Sequence, residues 1–216
     1  MERWSALILA GGAGRRFGGG KLLAPLGGQP VIRRVVDAVV AGDFDEVLVV
    51  TGAEDAAVGV ALDGVPCRIV HAPDWAEGMA ATLRTGVAAI SPDSEGVCVF
   101  LGDMPLVPVD LSGSLIAAAK GAGYAARPCV AGKPGHPVAF TRAAFADLLT
   151  LTGDQGATAL LKQHPGIVDY CETDDSGVLF DIDSPADLAA AERAWKACAT
   201  SATSESATSR GDLPKP

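Results

Sequence analysis

The sequence predicts an α/β protein of three layers, with helices on both faces of a mainly parallel sheet. Three observations carry this. Short apolar runs rich in Val, Ile and Leu alternate with longer amphipathic stretches through the first hundred residues, the rhythm of a parallel sheet. The runs lack period-two alternation, as expected of strands covered on both faces. The chain is 216 residues long and 49% hydrophobic, enough for one sizeable core without metal or disulfide staples.

In chain order, Ser5–Ala10, Glu46–Thr51, Cys67–His71 and Val97–Leu101 read as buried strands. Pro30–Ala41, Asp55–Leu62 and Met79–Ile90 read as the helices between them. Beyond Pro105 the expected order is a helix at Leu111–Lys120, strands near Tyr124–Arg127 and Pro137–Phe140, and helices at Arg142–Leu149 and Ala157–Gln163. A strand near Val178–Ile182 then leads to a helix at Pro185–Lys196. That helix carries a start signal: Ser184 as N-cap, Pro185 in the first turn and Asp187 three residues after the cap. The expected domain spans residues 1–198. Residues 199–216, rich in Ser, Thr and Ala without apolar period, are expected to form a disordered tail.

With 26 acidic and 17 basic side chains the net charge is −9, which argues against nucleic-acid binding but leaves room for a local cationic pocket. Leu7–Ala10 is too short for a signal-peptide core, and no apolar run approaches the ~20 residues of a membrane span. Cys67, Cys98, Cys129, Cys171 and Cys198 are odd in number and widely spaced, which fits thiols in a reducing cytoplasm.

The most informative segment follows the first strand: Leu9-Ala10-Gly11-Gly12-Ala13-Gly14-Arg15-Arg16-Phe17-Gly18-Gly19-Gly20-Lys21. Glycine and alanine let a backbone approach a ligand and expose its amides, which form an anion-binding nest. Arg15, Arg16 and Lys21 add positive charge, so the loop reads as a polyphosphate cradle. It is not a P-loop, which needs Gly at 15 and Ser or Thr at 22, where this chain has Arg15 and Leu22. Nor is it the dinucleotide fingerprint, because Phe17 stands where a small residue is required.

Further segments carry chemistry. Gly78-Met79-Ala80-Ala81-Thr82-Leu83-Arg84 opens a helix whose free amides suit a polar ligand. Asp103, in Leu101-Gly102-Asp103-Met104-Pro105, lies just past a strand end, where open α/β sheets place ligands. In Asp181-Ile182-Asp183-Ser184-Pro185 alternation puts Asp181 and Asp183 on one face of the expected strand. Gly132-Lys133-Pro134-Gly135-His136-Pro137 supplies a cation and an imidazole, and Asp154 in Gly153-Asp154-Gln155-Gly156-Ala157 is placed to cap a helix. The same residues would also serve as ordinary turns and helix caps, a reading the spacing leaves open.

Taken in order, these motifs resemble the nucleotide-diphospho-sugar transferase fold, and within it the molybdenum cofactor cytidylyl- and guanylyltransferases. Leu9, Ala10, Gly12, Arg16, Gly18 and Lys21 coincide with the family's loop; Gly14 stands where Ser is usual, and Phe17 where Met is. Ala80 and Ala81 replace two hydroxyl residues of the second motif, leaving Thr82. The resemblance implies transfer of a nucleoside monophosphate from CTP or GTP to the terminal phosphate of a molybdopterin-type cofactor, with loss of pyrophosphate. It implies catalytic roles for Arg16, Lys21 and Asp103, and nucleotide binding by Leu9, Ala10, Gly11, Gly12, Ala13, Gly14, Arg15, Gly78 and Thr82. It implies Mg²⁺ on Asp103 and Asp183, second-substrate contacts by Lys133 and His136, and a molybdoenzyme or its chaperone downstream. Gly11 resembles the guanylyl enzymes, whereas Lys21-Leu22-Leu23 and Gly135-His136-Pro137 resemble the cytidylyl ones and cover more of the chain, which favours CTP. Three other readings stay open: a sugar- or alditol-phosphate nucleotidyltransferase, an NAD(P)H-dependent oxidoreductase on the same fold, and a non-catalytic protein that binds the cofactor to store or deliver it.

Overall fold

The computed structural model describes residues 3–154 and 156–208. The elements in order are β1 (Trp4–Ala10), β2 (Pro25–Leu26), β3 (Gln29–Pro30), α1 (Val31–Val40), β4 (Glu46–Thr51), α2 (Asp55–Ala61), β5 (Arg68–His71), α3 (Met79–Ala89) and β6 (Gly96–Leu101). They continue with α4 (Leu111–Ala122), β7 (Ala125–Val130), β8 (Lys133–Pro134), β9 (Val138–Thr141), α5 (Phe145–Leu148), α6 (Thr158–Gln163), β10 (Val168–Glu172) and α7 (Pro185–Thr208).

The main sheet runs β10-β7-β9-β6-β1-β4-β5, with β8 paired to β7. Strand β1 lies between β4 and β6, parallel to both, and every residue of it is buried. Alternate residues of these strands enter two separate cores. Ala6, Ile8, Val47, Val49, Cys98 and Phe100 face α1, α2 and α4. Leu7, Leu9, Leu48, Val50, Val97 and Val99 face α3, α5 and α6. This segregation is the expected three-layer arrangement, and it explains the unbroken apolar runs. Strands β8 and β9 break the parallel pattern: β9 pairs antiparallel with both β6 and β7, and the short β8 pairs antiparallel with β7.

Local sequence accounts for the helices that matter here. Val31, Ile32, Val35, Val36 and Val39 form the buried stripe of α1, and Arg33 and Asp37 pair on its outer face at 2.9 Å. Helix α3 carries Gly86 in its middle, where glycine ordinarily costs about 1 kcal/mol. A Cβ there would lie 2.5 Å from a Leu7 methyl, so the glycine lets α3 sit directly on the central strand.

Three expectations are corrected. The segment near Val178–Ile182 is not a strand. Residues Ser176–Leu179 form a 3₁₀ turn capped by Asp175, whose carboxylate accepts from the Gly177 amide at 2.7 Å. A Cβ on Gly177 would lie 2.1 Å from the Leu106 carbonyl oxygen, so only glycine lets this turn pack directly on that segment. Val178 and Ile182 are fully buried nonetheless, and burial made the run look strand-like. The strand in this region is β10, an edge strand whose pattern hides because only Val168 is buried. Second, β5 is an exposed edge rather than a buried strand: Arg68, Ile69 and His71 all face solvent. Third, helix α7 does not end at Lys196 but continues to Thr208. Ala199, Ala202 and Ala207 favour helix, and neither Gly nor Pro interrupts before Gly211. Its packed part is earlier, where Leu188, Ala191 and Trp195 meet Leu26, Val31 and Ile182. Residues 209–216, the rest of the expected tail, lie outside the described residues.

The start of α7 is built as its sequence signals. Asp187 accepts from the Ser184 amide at 2.8 Å, and the Asp187 amide donates to the Ser184 hydroxyl at 3.3 Å, a reciprocal cap. These bonds, the Ser184 hydroxyl foremost, hold the Asp187 carboxyl below its ordinary value. A lowered native value means that its stabilisation is complete above the unfolded value near 4 and disappears as acid protonates the native group. Asp187→Asn is therefore expected to be less stable than the parent at pH 7, and the gap to close by about pH 2. Urea midpoints at the two pH values measure this.

Candidate active site

The C-terminal ends of β1 and β6, the N-terminus of α3 and the segment before α7 enclose one cleft of about 540 Å³. Every glycine-loop residue expected to bind nucleotide, Leu9 through Arg15, lines it, together with Arg16, Lys21, Gly78, Thr82, Asp103 and Asp183.

The loop after β1 gains its shape from its own backbone. The amides of Phe17 and Gly19 donate to the Gly14 carbonyl at 3.0 and 3.1 Å. Gly14 has φ +59°, and its Cα sits over the Lys21 stem, where a Cβ would stand 3.2 Å from Cγ. A serine there, as in the family pattern, would be strained against Lys21. At the loop's far end the Gly20 amide donates to Glu54 at 2.7 Å. Phe17 turns away from the cleft and packs with Leu26 and Ile182, so its position serves the fold. Among the described residues the amides of Gly12 and Ala13 have no backbone acceptor, which leaves them for a ligand.

Thr82, on the first turn of α3, is buried directly beneath this loop: a Cβ on Gly11 would lie 2.4 Å from its hydroxyl oxygen. Gly11 therefore permits the close packing of loop on helix. Gly78, at φ +115°, meets Asp154 and the Gly153 backbone, and the Ala80 amide donates to the Gly153 carbonyl at 3.1 Å. Asp154 thus joins the wall of the cleft. It does not cap α6, which starts at Thr158 behind an Ala157 cap position, and Gln155 lies outside the described residues.

The charged groups converge tightly. Lys21 Nζ lies 2.5 Å from Asp103 Oδ2 and 3.2 Å from Asp183 Oδ1. Arg16 Nη1 donates to Asp183 Oδ2 at 2.8 Å, though the arginine is 85% exposed, so this pair contributes little on its own. Asp103 is set by the end of β6, and its carbonyl accepts from the Ile182 amide at 3.0 Å, which ties the two acidic segments together. Burial lowers the Lys21 pKa, but Asp103 and Asp183 outweigh it and hold the ammonium above its ordinary value. Burial raises Asp183, yet the hydrogen bonds from Lys21 and Arg16 prevail and keep it ionised below its ordinary value. Asp181 lines the same cleft, and partial burial with the neighbouring Asp183 pushes it up. Asp181 and Asp183 therefore share the cleft although no strand holds them.

Lys133 and His136 stand apart from this group: neither lines the cleft. Lys133 is exposed in β8, and the His136 amide donates to the Val178 carbonyl at 2.8 Å. Burial, then the charge of Arg127, pulls the His136 pKa down to about 4, so the imidazole is neutral at pH 7. Among the described residues its buried Nδ1 has no hydrogen-bond partner.

Two residues escaped sequence reasoning. Trp75, in a 3₁₀ turn before α3, lines the cleft; an aromatic three residues ahead of Gly78 was the available signal. Arg127 is buried in β7, and its Nε and Nη2 donate to the Gly135 carbonyl at 3.1 and 2.8 Å, fixing the Gly132–Pro137 loop. Nothing in a strand-like AARPCV run announces that clamp.

A glycine-rich anion cradle beside two carboxylates, one just past the end of β6 and one just ahead of α7, suits a polyphosphate ligand with a divalent metal. The MobA-like NTP transferase domain family matches residues 6–168, and the chain belongs to that family. It is 32% identical over 191 residues to the nicotine blue oxidoreductase of Paenarthrobacter nicotinovorans, a match covering 83% of this chain and 92% of that one. It is 32% identical over 128 residues to the molybdenum cofactor guanylyltransferase of Rhodobacter capsulatus, which covers 54% of this chain and 60% of that enzyme. The fold superposes with a TM-score of 0.76 on Rv0371c of Mycobacterium tuberculosis H37Rv, solved as a manganese complex, at 25% identity and over 88% of this chain and 98% of that one. No helix among the described residues is long and apolar enough to cross a membrane.

Proposed function

We propose that this chain moves a nucleoside monophosphate, CMP in preference to GMP, from a nucleoside triphosphate to the terminal phosphate of a molybdopterin-type cofactor in the cytoplasm, releasing pyrophosphate. The observation that supports it best is the convergence of Asp103 and Asp183 on one cation position at the mouth of the glycine loop. The manganese complex of the M. tuberculosis relative supports use of a divalent metal.

The residues fit a dication. Both carboxylates reach one point, now held by the Lys21 ammonium, and hard oxygen ligands in pairs, completed by phosphate and water, suit Mg²⁺. Among the described residues no group of three or more His, Cys, Asp or Glu is assembled, so substrate oxygens would complete the shell. Such an ion on Asp103 and Asp183 supplies Lewis acidity and a template. The protein's own part is alignment and charge. The amides of Gly11 to Gly14 hold the β- and γ-phosphates, Arg16 and Lys21 neutralise charge developing on them, and Arg15 assists from the rim. Thr82 and Gly78 carry the nucleoside side. A phosphate nucleophile is already ionised, so no general base is needed. Lys133 and the neutral His136 are assigned to the acceptor, by way of the loop that Arg127 fixes.

A second reading rests on Ala80 and Ala81, which remove two hydroxyls from the cleft's helix, and on the oxidoreductase relative matched over 92% of its length. Turnover of CTP and GTP with molybdopterin and Mg²⁺, compared side by side, tests the base preference: a CMP adduct is expected in excess. A GMP adduct alone reverses the base preference.

A further inference from the structure

Lys21 reaches Asp103 and Asp183, residues 82 and 162 positions away in sequence, with the same nitrogen. Its side chain is 13% exposed, and among the described residues it is the only ion-pair partner of Asp103. These are the two carboxylates that would hold a dication in the proposed function. We propose that Lys21 competes directly with divalent metal for Asp103 and Asp183, so that metal joins the site with a polyphosphate rather than as a free ion.

The charges make the case. Asp103, Asp154, Asp181 and Asp183 bring four carboxylates to the cleft, against three basic side chains, Arg15, Arg16 and Lys21, of which Lys21 and Arg16 pair directly with Asp103 and Asp183. A free dication arriving here must break the 2.5 Å Lys21–Asp103 bond and leave the ammonium half-buried without a partner. A triphosphate removes that obstacle, because its oxygens give the ammonium a new partner within reach of the same loop: the Lys21 stem already packs on Gly14. The lysine is thus both the cradle's cation and the gate to the metal site, and the substrate it selects is the metal–nucleotide complex. Only the identity of the polyphosphate rests on the transferase reading; competition between ammonium and metal does not.

The test uses Mn²⁺ alone, titrated into the full chain and followed by electron paramagnetic resonance and calorimetry. Lys21→Met and Lys21→Gln are each expected to bind Mn²⁺ about tenfold or more tightly than the parent, since one buried positive charge is removed from the carboxylates. Lys21→Arg keeps the charge and is expected to stay near the parent. Adding Asp103→Asn to Lys21→Met abolishes the gain. Circular dichroism establishes that each variant is folded, and Lys21→Gln, which retains hydrogen-bond donors, stands in if Lys21→Met does not fold. Inorganic tripolyphosphate, added with Mn²⁺, is expected to raise metal uptake in the parent and not in Lys21→Met. Equal or weaker Mn²⁺ binding by folded Lys21→Met and Lys21→Gln overturns the proposal. If the parent never releases pyrophosphate but the Lys21 variants bind Mn²⁺ more tightly, the transferase reading fails and the role of Lys21 stands.

Discussion

Replacing Asp103 by alanine is expected to lower pyrophosphate release by about a hundred- to a thousand-fold, with the fold intact. The carboxylate is the better buried of the two that meet at the cation position, and its side chain is 19% exposed against 39% for Asp183. Nothing else at the end of β6 can take its place. The fold should survive because the backbone does the structural work there: the Asp103 carbonyl accepts from Ile182 whatever the side chain. Asp103→Asn separates shape from charge and should be almost as inactive, since an amide is a poor ligand for a dication. Initial rates, beside a melting curve for each variant, make the comparison. A loss of less than about threefold in a folded Asp103→Ala chain would contradict the assigned role.

The second large effect falls on stability. Gly78→Ala is expected to cost at least about 2 kcal/mol in urea unfolding. The residue sits at φ +115°, where an L side chain is strained, and the added methyl would stand 2.3 Å from Asp154 Oδ1 and 2.8 Å from the Gly153 carbonyl. The aspartate can swing away; the backbone cannot. The Ala80–Gly153 hydrogen bond should open, and with it one wall of the cleft. A variant that unfolds within about 0.5 kcal/mol of the parent would show that this turn is softer than its geometry implies.

These two residues mark how far the sequence alone reaches. Asp103 was legible because β6 is a short buried run ending in Gly-Asp, and the chemistry at such an end follows from the fold. The glycine loop was legible for the same reason. Asp181 and Asp183 both reach the cleft, though not on the expected strand: the irregular segment after the Ser176–Leu179 turn carries them there, with Val178 and Ile182 buried beside it. What stayed hidden depends on contacts between distant segments. No local pattern tells that Lys21 bridges two aspartates, that Asp154 closes on Gly78, or that Arg127 holds the Gly135 carbonyl. Strand β10 hid because an edge strand with one buried residue has no periodicity to read. The antiparallel β9 was placed along the chain but not in the sheet, since pairing direction is set by tertiary packing.

Relatives of this chain are named for nucleotidyl transfer and for oxidoreduction, so the reaction itself is the central claim. The direct measurement is pyrophosphate release by the purified chain with molybdopterin, Mg²⁺ and each nucleoside triphosphate in turn, run beside NADPH oxidation under the same conditions. The account predicts pyrophosphate with CTP, less with GTP, and no NADPH consumed. NADPH oxidation without pyrophosphate from any triphosphate would contradict it.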